Sequence, residues 1–288
     1  MKTQLDCYSC LVRQALAAAR FAGADENLQR KVLQRVMQEL IQLDPESTPP
    51  MTSDAIHRVI REVTKNPDPY KPMKEQSTRE ALALYPKLKE IVRHAADPFE
   101  TAVKLSIAGN IIDLAVSEEY NLLGSVERVL EKPLTQNDLP QLKAAIERAP
   151  WVLYLADNAG ETVFDRLLIE ELAPKRVIYV VKSGPALNDA TLADAQAAGL
   201  DQVAELRTTG YNGIGIFFDK SSPEFVKLFD ESQVIIAKGM ANYETLSDSC
   251  DRVFFLLQVK CDTIGLDIGK PTGDLVVAQA KPSLAPQG

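Results

Sequence analysis

Along the first half of the chain, apolar residues return every three or four positions, the spacing that lines one face of a helix. Leu28, Val32, Leu33, Val36 and Leu40 show it in "DENLQRKVLQRVMQELIQL", which opens on Asp25 as a plausible cap; "CLVRQALAAARFAG" shows it as far as Gly23. The same spacing predicts helices in "TSDAIHRVIREVTK", "KEQSTREALALYPKLKEIVRHAA", "PFETAVKLSIAGNIIDLAV" and "TQNDLPQLKAAIERA". Nothing between residues 3 and 148 reads as a strand. The texture changes at Trp151. From there, short runs rich in Val, Ile, Tyr and Phe ("WVLYLA", "RVIYVVK", "QVAELR", "QVIIAK", "VFFLLQ", "DLVVAQ") alternate with the helical segments "ETVFDRLLIEELA", "DATLADAQAAG" and "PEFVKLFDES".

Strands that are apolar nearly throughout, alternating with helices, predict a mostly parallel sheet covered on both faces. The expected architecture is a Rossmann-like three-layer α/β/α domain over residues 149–280, preceded by an all-helical part over residues 1–148 and followed by a flexible tail, 281–288. Composition adds bounds. The 288 residues are 45% hydrophobic, enough for a sizeable core, and 32 Lys and Arg against 40 Asp and Glu give a net charge of −8. That field repels polyanions, so nucleic acid is not expected as a partner. No run approaches the ~18 apolar residues of a spanning helix, and the N-terminus lacks the pattern of a signal peptide. The expectation is a soluble, cytoplasmic protein with no membrane partner. Four cysteines in a chain this long do not form a disulfide framework.

In an open parallel sheet, ligands bind beyond the carboxyl ends of the strands. Three loops at such ends are unusually polar: Asp157-Asn158-Ala159-Gly160-Glu161 after the first strand, "SGPALNDATLADA" with Asn188 and Asp189 after the second, and "KGMANYETL" with Lys238, Asn242 and Glu244. Capping explains part of this, because Asn158 with Glu161 three residues on resembles a capping box, and Asn188 or Asp189 can cap the next helix. It leaves the adjacent Asp157 and Asn158 unexplained. Carboxylate and amide oxygens are hard donors suited to Mg²⁺, Mn²⁺ or a similar ion, and N–H groups at Gly160 and Glu161 could receive phosphate oxygens at a helix start.

The set "DNAGETVFD", "GPALNDATLADA", "KGMANYETL" and "FLLQVKCD", preceded by "NPDPYKPMKEQS" and "AGNIID", resembles the damage-control phosphatases, a family once catalogued as domain of unknown function 89. "DCYSCLVRQA" is similar to its CxxC-bearing branch, and the likeness runs in order from about Asp6 to Gly273. The resemblance implies a metal-dependent phosphatase of small phosphorylated metabolites, with Mn, Co, Ni or Mg as cofactor. It implies Asp157, Asn158 and Asp189 as metal ligands, and Lys238 on the phosphate. Asn242 and Glu244 would line the pocket, and Asn110 and Asp113 would reach it from the helical part. Asp157 is the one obvious covalent candidate. Haloacid-dehalogenase phosphatases place a general acid two residues after the nucleophile, however, and here Ala159 stands there, so the favoured attacker is metal-activated water.

Two other readings compete. A nucleotide-cofactor enzyme such as a methyltransferase or dehydrogenase would need a glycine-rich loop after the first strand; "GYNGIGIFF" follows a late strand and is not GxGxxG. A non-catalytic module could be built on Cys7 and Cys10, but one CxxC supplies half of a structural zinc site, and the expectation is that these thiols are not catalytic. The physiological substrate, the preferred ion and the oligomeric state have no local signature.

Overall fold

The computed structural model describes residues 1–44, 46–109 and 122–281, with no statement on the side chains of 122–125. Asn110, Asp113 and residues 282–288 lie outside the described residues, and with them the expectations placed there.

The elements in chain order are helices α1 (Leu5–Phe21), α2 (Glu26–Ile41), α3 (Pro49–Thr64), α4 (Lys71–His94), α5 (Pro98–Gly109) and α6 (Leu122–Glu131). Strand β1 (Leu134–Asn137) and helix α7 (Leu139–Arg148) come next. The remainder alternates: β2 (Trp151–Leu155), α8 (Thr162–Glu171), β3 (Arg176–Val181), α9 (Leu192–Ala197), β4 (Glu205–Thr208), α10 (Pro223–Glu231), β5 (Ile235–Lys238), α11 (Gly239–Leu246), β6 (Val253–Gln258), α12 (Asp262–Ile268) and β7 (Leu275–Gln279). Helix starts follow local chemistry. Asp25 accepts from the Leu28 N–H at 2.8 Å, and Ser222 accepts from that of Phe225 at 3.2 Å.

Among the described residues the strands form one seven-stranded sheet in the order β1-β7-β6-β5-β2-β3-β4. Strands β2 to β6 run parallel, β7 is antiparallel to β6, and β1 is parallel to β7. The mixed α/β class and the mostly parallel sheet are as expected. Alternation along β2 sends Val152 and Tyr154 into a core with α4, α5 and α8, and Leu153 and Leu155 into a core with α10, α11 and α12.

One expectation is corrected. Thr135, Gln136 and Asn137 belong to a strand and not to a helix. This strand is short, polar and half-buried at the sheet edge, so it carries no apolar run to announce it. Helices α1 to α3 share their own core, built on Leu11, Val32, Val36, Ile56 and Ile60, whereas α4, α5 and α7 bury Leu88, Leu105 and Leu142 with the sheet.

Candidate active site

The chain leaves β2 towards β3 on one side and returns to β5 on the other, so a crevice opens where β2 and β5 meet. Ligands bind outside the carboxyl ends of strands at such a reversal. The loops after β2, β3 and β5 all emerge on this edge, and α3 packs against α11 beside it.

The first two loops are tied by their backbones. Ala159 N–H donates to Asn188 O at 2.9 Å and Ala190 N–H donates to Asp157 O at 2.7 Å, which makes a bridge between Asn158 and Asp189. Asp157, Asn158 and Asp189 are thereby brought together. The third loop closes on the same point. Gly239, at φ +77°, sets its Cα against the Asp157 carboxylate so closely that a Cβ would overlap it.

Neither loop uses these residues as caps. Asn158 makes no side-chain bond to the backbone of the following turn, Ala159–Glu161. Its Nδ2 donates instead to Glu161 Oε1 at 2.5 Å and to Asp157 Oδ2 at 3.1 Å. After β3, the capping box is made by Thr191 and Asp194, which leaves Asn188 and Asp189 out of it. The spacing Asn158–Glu161 resembled a capping box because a side chain three residues on reaches a backbone N–H and a neighbouring carboxylate equally well.

Lys238 sits where the sequence reading did not place it. It is fully buried, and Nζ donates at 2.8 Å to each of Ser106 O, Glu161 Oε2 and Asp165 Oδ1. All three protons are used, so none is presented to a ligand. Burial works against the charge, yet Asp165 and Glu161 outweigh it and hold the pKa above the usual lysine range. Glu161 is pushed up by burial, with Asp157 and Asp165 adding to the effect against Lys238. Its hydrogen bonds decide its state: Oε1 accepts from Asn158 and Oε2 from Lys238, so it is a carboxylate.

Asp165 completes this network and was missed in the sequence. Its Oδ1 also accepts from Ser106 at 3.0 Å and Tyr154 at 2.7 Å, and its Oδ2 from Tyr179 at 2.7 Å. The available signal was an acid one helical turn after Glu161 on the buried face of α8. Lys182 was missed too. It ends the run "RVIYVVK" as Lys238 ends "QVIIAK", and it is buried, donating to Gly215 O at 2.5 Å with Asp189 Oδ2 at 3.8 Å. Burial lowers its pKa while Asp189, Asp157 and Asp54 raise it.

Burial pushes the Asp189 carboxyl up to about 6, with Lys182 opposing and Glu161 reinforcing. Glu244 is half-buried and pushed up to about 8, chiefly by burial, with the N-terminal amine opposing and Asp157 reinforcing. Asn242 is buried and structural in its contacts: Nδ2 donates to Ala156 O and Lys238 O, joining the end of β2 to α11, while Oδ1 has no hydrogen-bond partner among the described residues. Gly160 meets Ser77, whose Cβ would lie 2.8 Å from an added Cβ, so this glycine admits α4. The Glu161 N–H already donates to Asn158 O at 3.1 Å. Lys74 is buried between Asp68 at 3.1 Å and Asp194 at 3.6 Å, beside a cavity of about 10 Å³ that Asn158, Gly160 and Asn188 also line.

Two carboxylates and an amide oxygen are hard donors of the kind Mg²⁺ or Mn²⁺ takes. Among the described residues no three His, Cys, Asp or Glu side chains form a metal cluster, and this set has two acids and an amide. Burial raises the Cys7 and Cys261 thiols, which leaves them protonated and weakly nucleophilic. A cavity of about 710 Å³ lies at the opposite sheet edge, by Pro150 and Arg176, where a parallel sheet does not place its chemistry.

Residues 3–276 match the family described as the damage-control phosphatase ARMT1-like domain. A damage-control phosphatase of Archaeoglobus fulgidus is 36% identical, covering 96% of this chain and 98% of its own length. One from Pyrococcus horikoshii is 33% identical over 98% and 99%, and an uncharacterized protein of Methanocaldococcus jannaschii is 35% identical over 96% and 95%. The crystal structure of a Pyrococcus horikoshii DUF89 family protein superposes with a TM-score of 0.88, at 33% identity, covering 98% of this chain and 100% of that one. Among the described residues no helix is long and apolar enough to cross a membrane.

Proposed function

This chain belongs to the damage-control phosphatase ARMT1-like family, and on that premise we propose that it is a cytoplasmic, metal-dependent hydrolase of phosphomonoesters of small metabolites. The observation that carries the reading is the backbone tie between Asp157–Ala159 and Asn188–Ala190 at the β2/β5 crevice, which assembles two carboxylates and one amide. Asp157, Asn158 and Asp189 would hold a divalent ion, Mn, Co, Ni or Mg. When bound, the ion supplies Lewis-acid neutralisation of phosphoryl charge.

The chain's own residues supply the rest. Among the described residues Lys182 donates to Gly215 O and stands beside Asp189, so it has a donor to offer a phosphoryl oxygen. It takes the role that the sequence reading gave to Lys238. Buried walls from α4, α8 and α11 keep bulk water from the charges, where preorganised donors are worth most. Glu244, half-buried and without a hydrogen bond among the described residues, lies on the Asp157 side, where the organic part of a substrate would enter. Water is the attacking group, since no second acid follows Asp157 at residue 159.

Chelated protein given Mn²⁺, Co²⁺, Ni²⁺ or Mg²⁺ is expected to hydrolyse p-nitrophenyl phosphate and to gain thermal stability. Asp157→Ala and Asp189→Ala are each expected to abolish both effects while the far-UV circular dichroism is retained. Absence of metal-dependent turnover together with absence of a thermal shift would overturn the reading. A screen of phosphorylated metabolites with the metal-loaded protein then identifies the substrate class.

A further inference from the structure

A lysine and two carboxylates sealed away from water are costly, and well-packed apolar residues of similar volume often serve stability as well or better. Lys238, Glu161 and Asp165 nevertheless form such a set, at 0%, 1% and 0% exposure, with Ser106, Tyr154 and Tyr179 satisfying the remaining oxygens. The network spans α5, α8 and the end of β5, and one of its members leads out of the core. Glu161 Oε1 accepts from the Asn158 amide.

That contact fixes which way the amide faces. Both Asn158 N–H groups point at carboxylates, those of Glu161 and Asp157. Rotating the amide by half a turn would set its oxygen against Glu161 Oε1 at 2.5 Å, two acceptors with no proton between them. Oδ1 is therefore turned away from Glu161 and Asp157. Resting on the metal-dependent reading above, we infer that Lys238 is a positioning residue: with Asp165 behind it, it holds the Glu161 carboxylate that orients Asn158 so that Oδ1 faces the cation. The partners of a ligating side chain set its orientation, and losing one commonly costs about 10- to 100-fold in metal affinity. Without Lys238, Glu161 Oε2 has no donor among the described residues and the carboxylate is free to leave the amide.

The alternative role for Lys238, direct contact with phosphate, predicts something different, and metal titration without phosphate separates the two. Isothermal titration of Mn²⁺ into phosphate-free protein is expected to show affinity weakened by about tenfold or more in Lys238→Met. Because that variant leaves two buried carboxylates facing each other, Lys238→Met/Asp165→Asn, which removes one charge of each sign, is measured beside it. Asp25→Ala in α2 serves as a destabilised control and is expected to bind Mn²⁺ as the wild type does. Folded Lys238 variants that keep Mn²⁺ affinity within about twofold, whether or not they lose affinity for inorganic phosphate, would overturn the inference and leave the phosphatase reading standing. A wild-type protein that binds no Mn²⁺ would overturn both.

Discussion

Gly239 shows how one residue can be demanded by a neighbour's chemistry. Its φ of +77° costs other residues about 1–2 kcal/mol, and a Cβ there would run into the Asp157 carboxylate. Gly239→Ala is expected to lower stability in urea unfolding by at least that amount and to weaken Mn²⁺ binding, because Asp157 must move. Wild-type metal affinity in a folded variant would show that the contact is incidental. The sequence made this cluster legible only in part. Asp157, Asn158 and Asp189 stood out because acids and amides at strand ends are few. Lys182 and Lys238 both close an apolar strand and both are buried, and what separates them is their partners: at the end of β5, α5 and α8 bring Ser106, Glu161 and Asp165 to Lys238, whereas Lys182 meets Gly215 O and Asp189. Asp165 escaped notice because an acid in an amphipathic helix ordinarily faces water, and only tertiary packing turns it to Tyr154 and Tyr179.

At the scale of elements, contacts between α4 and the Ala159–Glu161 turn seat the site. Gly160 has no room for a methyl group beneath Ser77. Gly160→Ala is expected to destabilise by about 1–3 kcal/mol, the usual cost of overpacking, and Gly160→Ala/Ser77→Gly to recover part of it. A thermodynamic cycle by chemical denaturation measures the coupling, and additive effects would mean that the contact relaxes freely. After β3, Thr191 and Asp194 cap α9, so Thr191→Ala is expected to cost about 1 kcal/mol in the same assay. Strands β2, β3, β5 and β6 were legible as apolar runs because both of their faces are covered. Strand β1 was not, since Leu134–Asn137 at an edge packs too little side chain to set a pattern. The three-way division of the cores was hidden for a related reason, as helices on a sheet and helices on each other share one apolar spacing.

For the whole molecule, His57 ties stability to pH. It lies buried on α3 against Tyr70, Nε2 has no hydrogen-bond partner among the described residues, and burial, with Arg61 adding to it, pulls its pKa down to about 3. An unfolded chain protonates this histidine near pH 6.5 while the folded one does not. Its contribution is therefore complete above 6.5 and is lost as pH falls towards 3. At pH 5 the loss is about 2 kcal/mol, so the advantage of His57→Phe over the wild type is expected to grow by about that much between pH 7 and pH 5 in urea titrations. A difference independent of pH would mean that the folded ring titrates as it does in the unfolded chain, and an advantage that shrinks towards pH 5 would mean that it is protonated when folded. The sheet order has a consequence for how the molecule is made. The central pairing joins Leu153 to Ile235, with β3, β4 and the helices α8, α9 and α10 threaded between them in the chain. Closing that span costs entropy before any contact repays it, and the crevice has no floor until it is closed. On refolding from denaturant, helical signal should return first, and the capacity to take up a metal ion should arrive last.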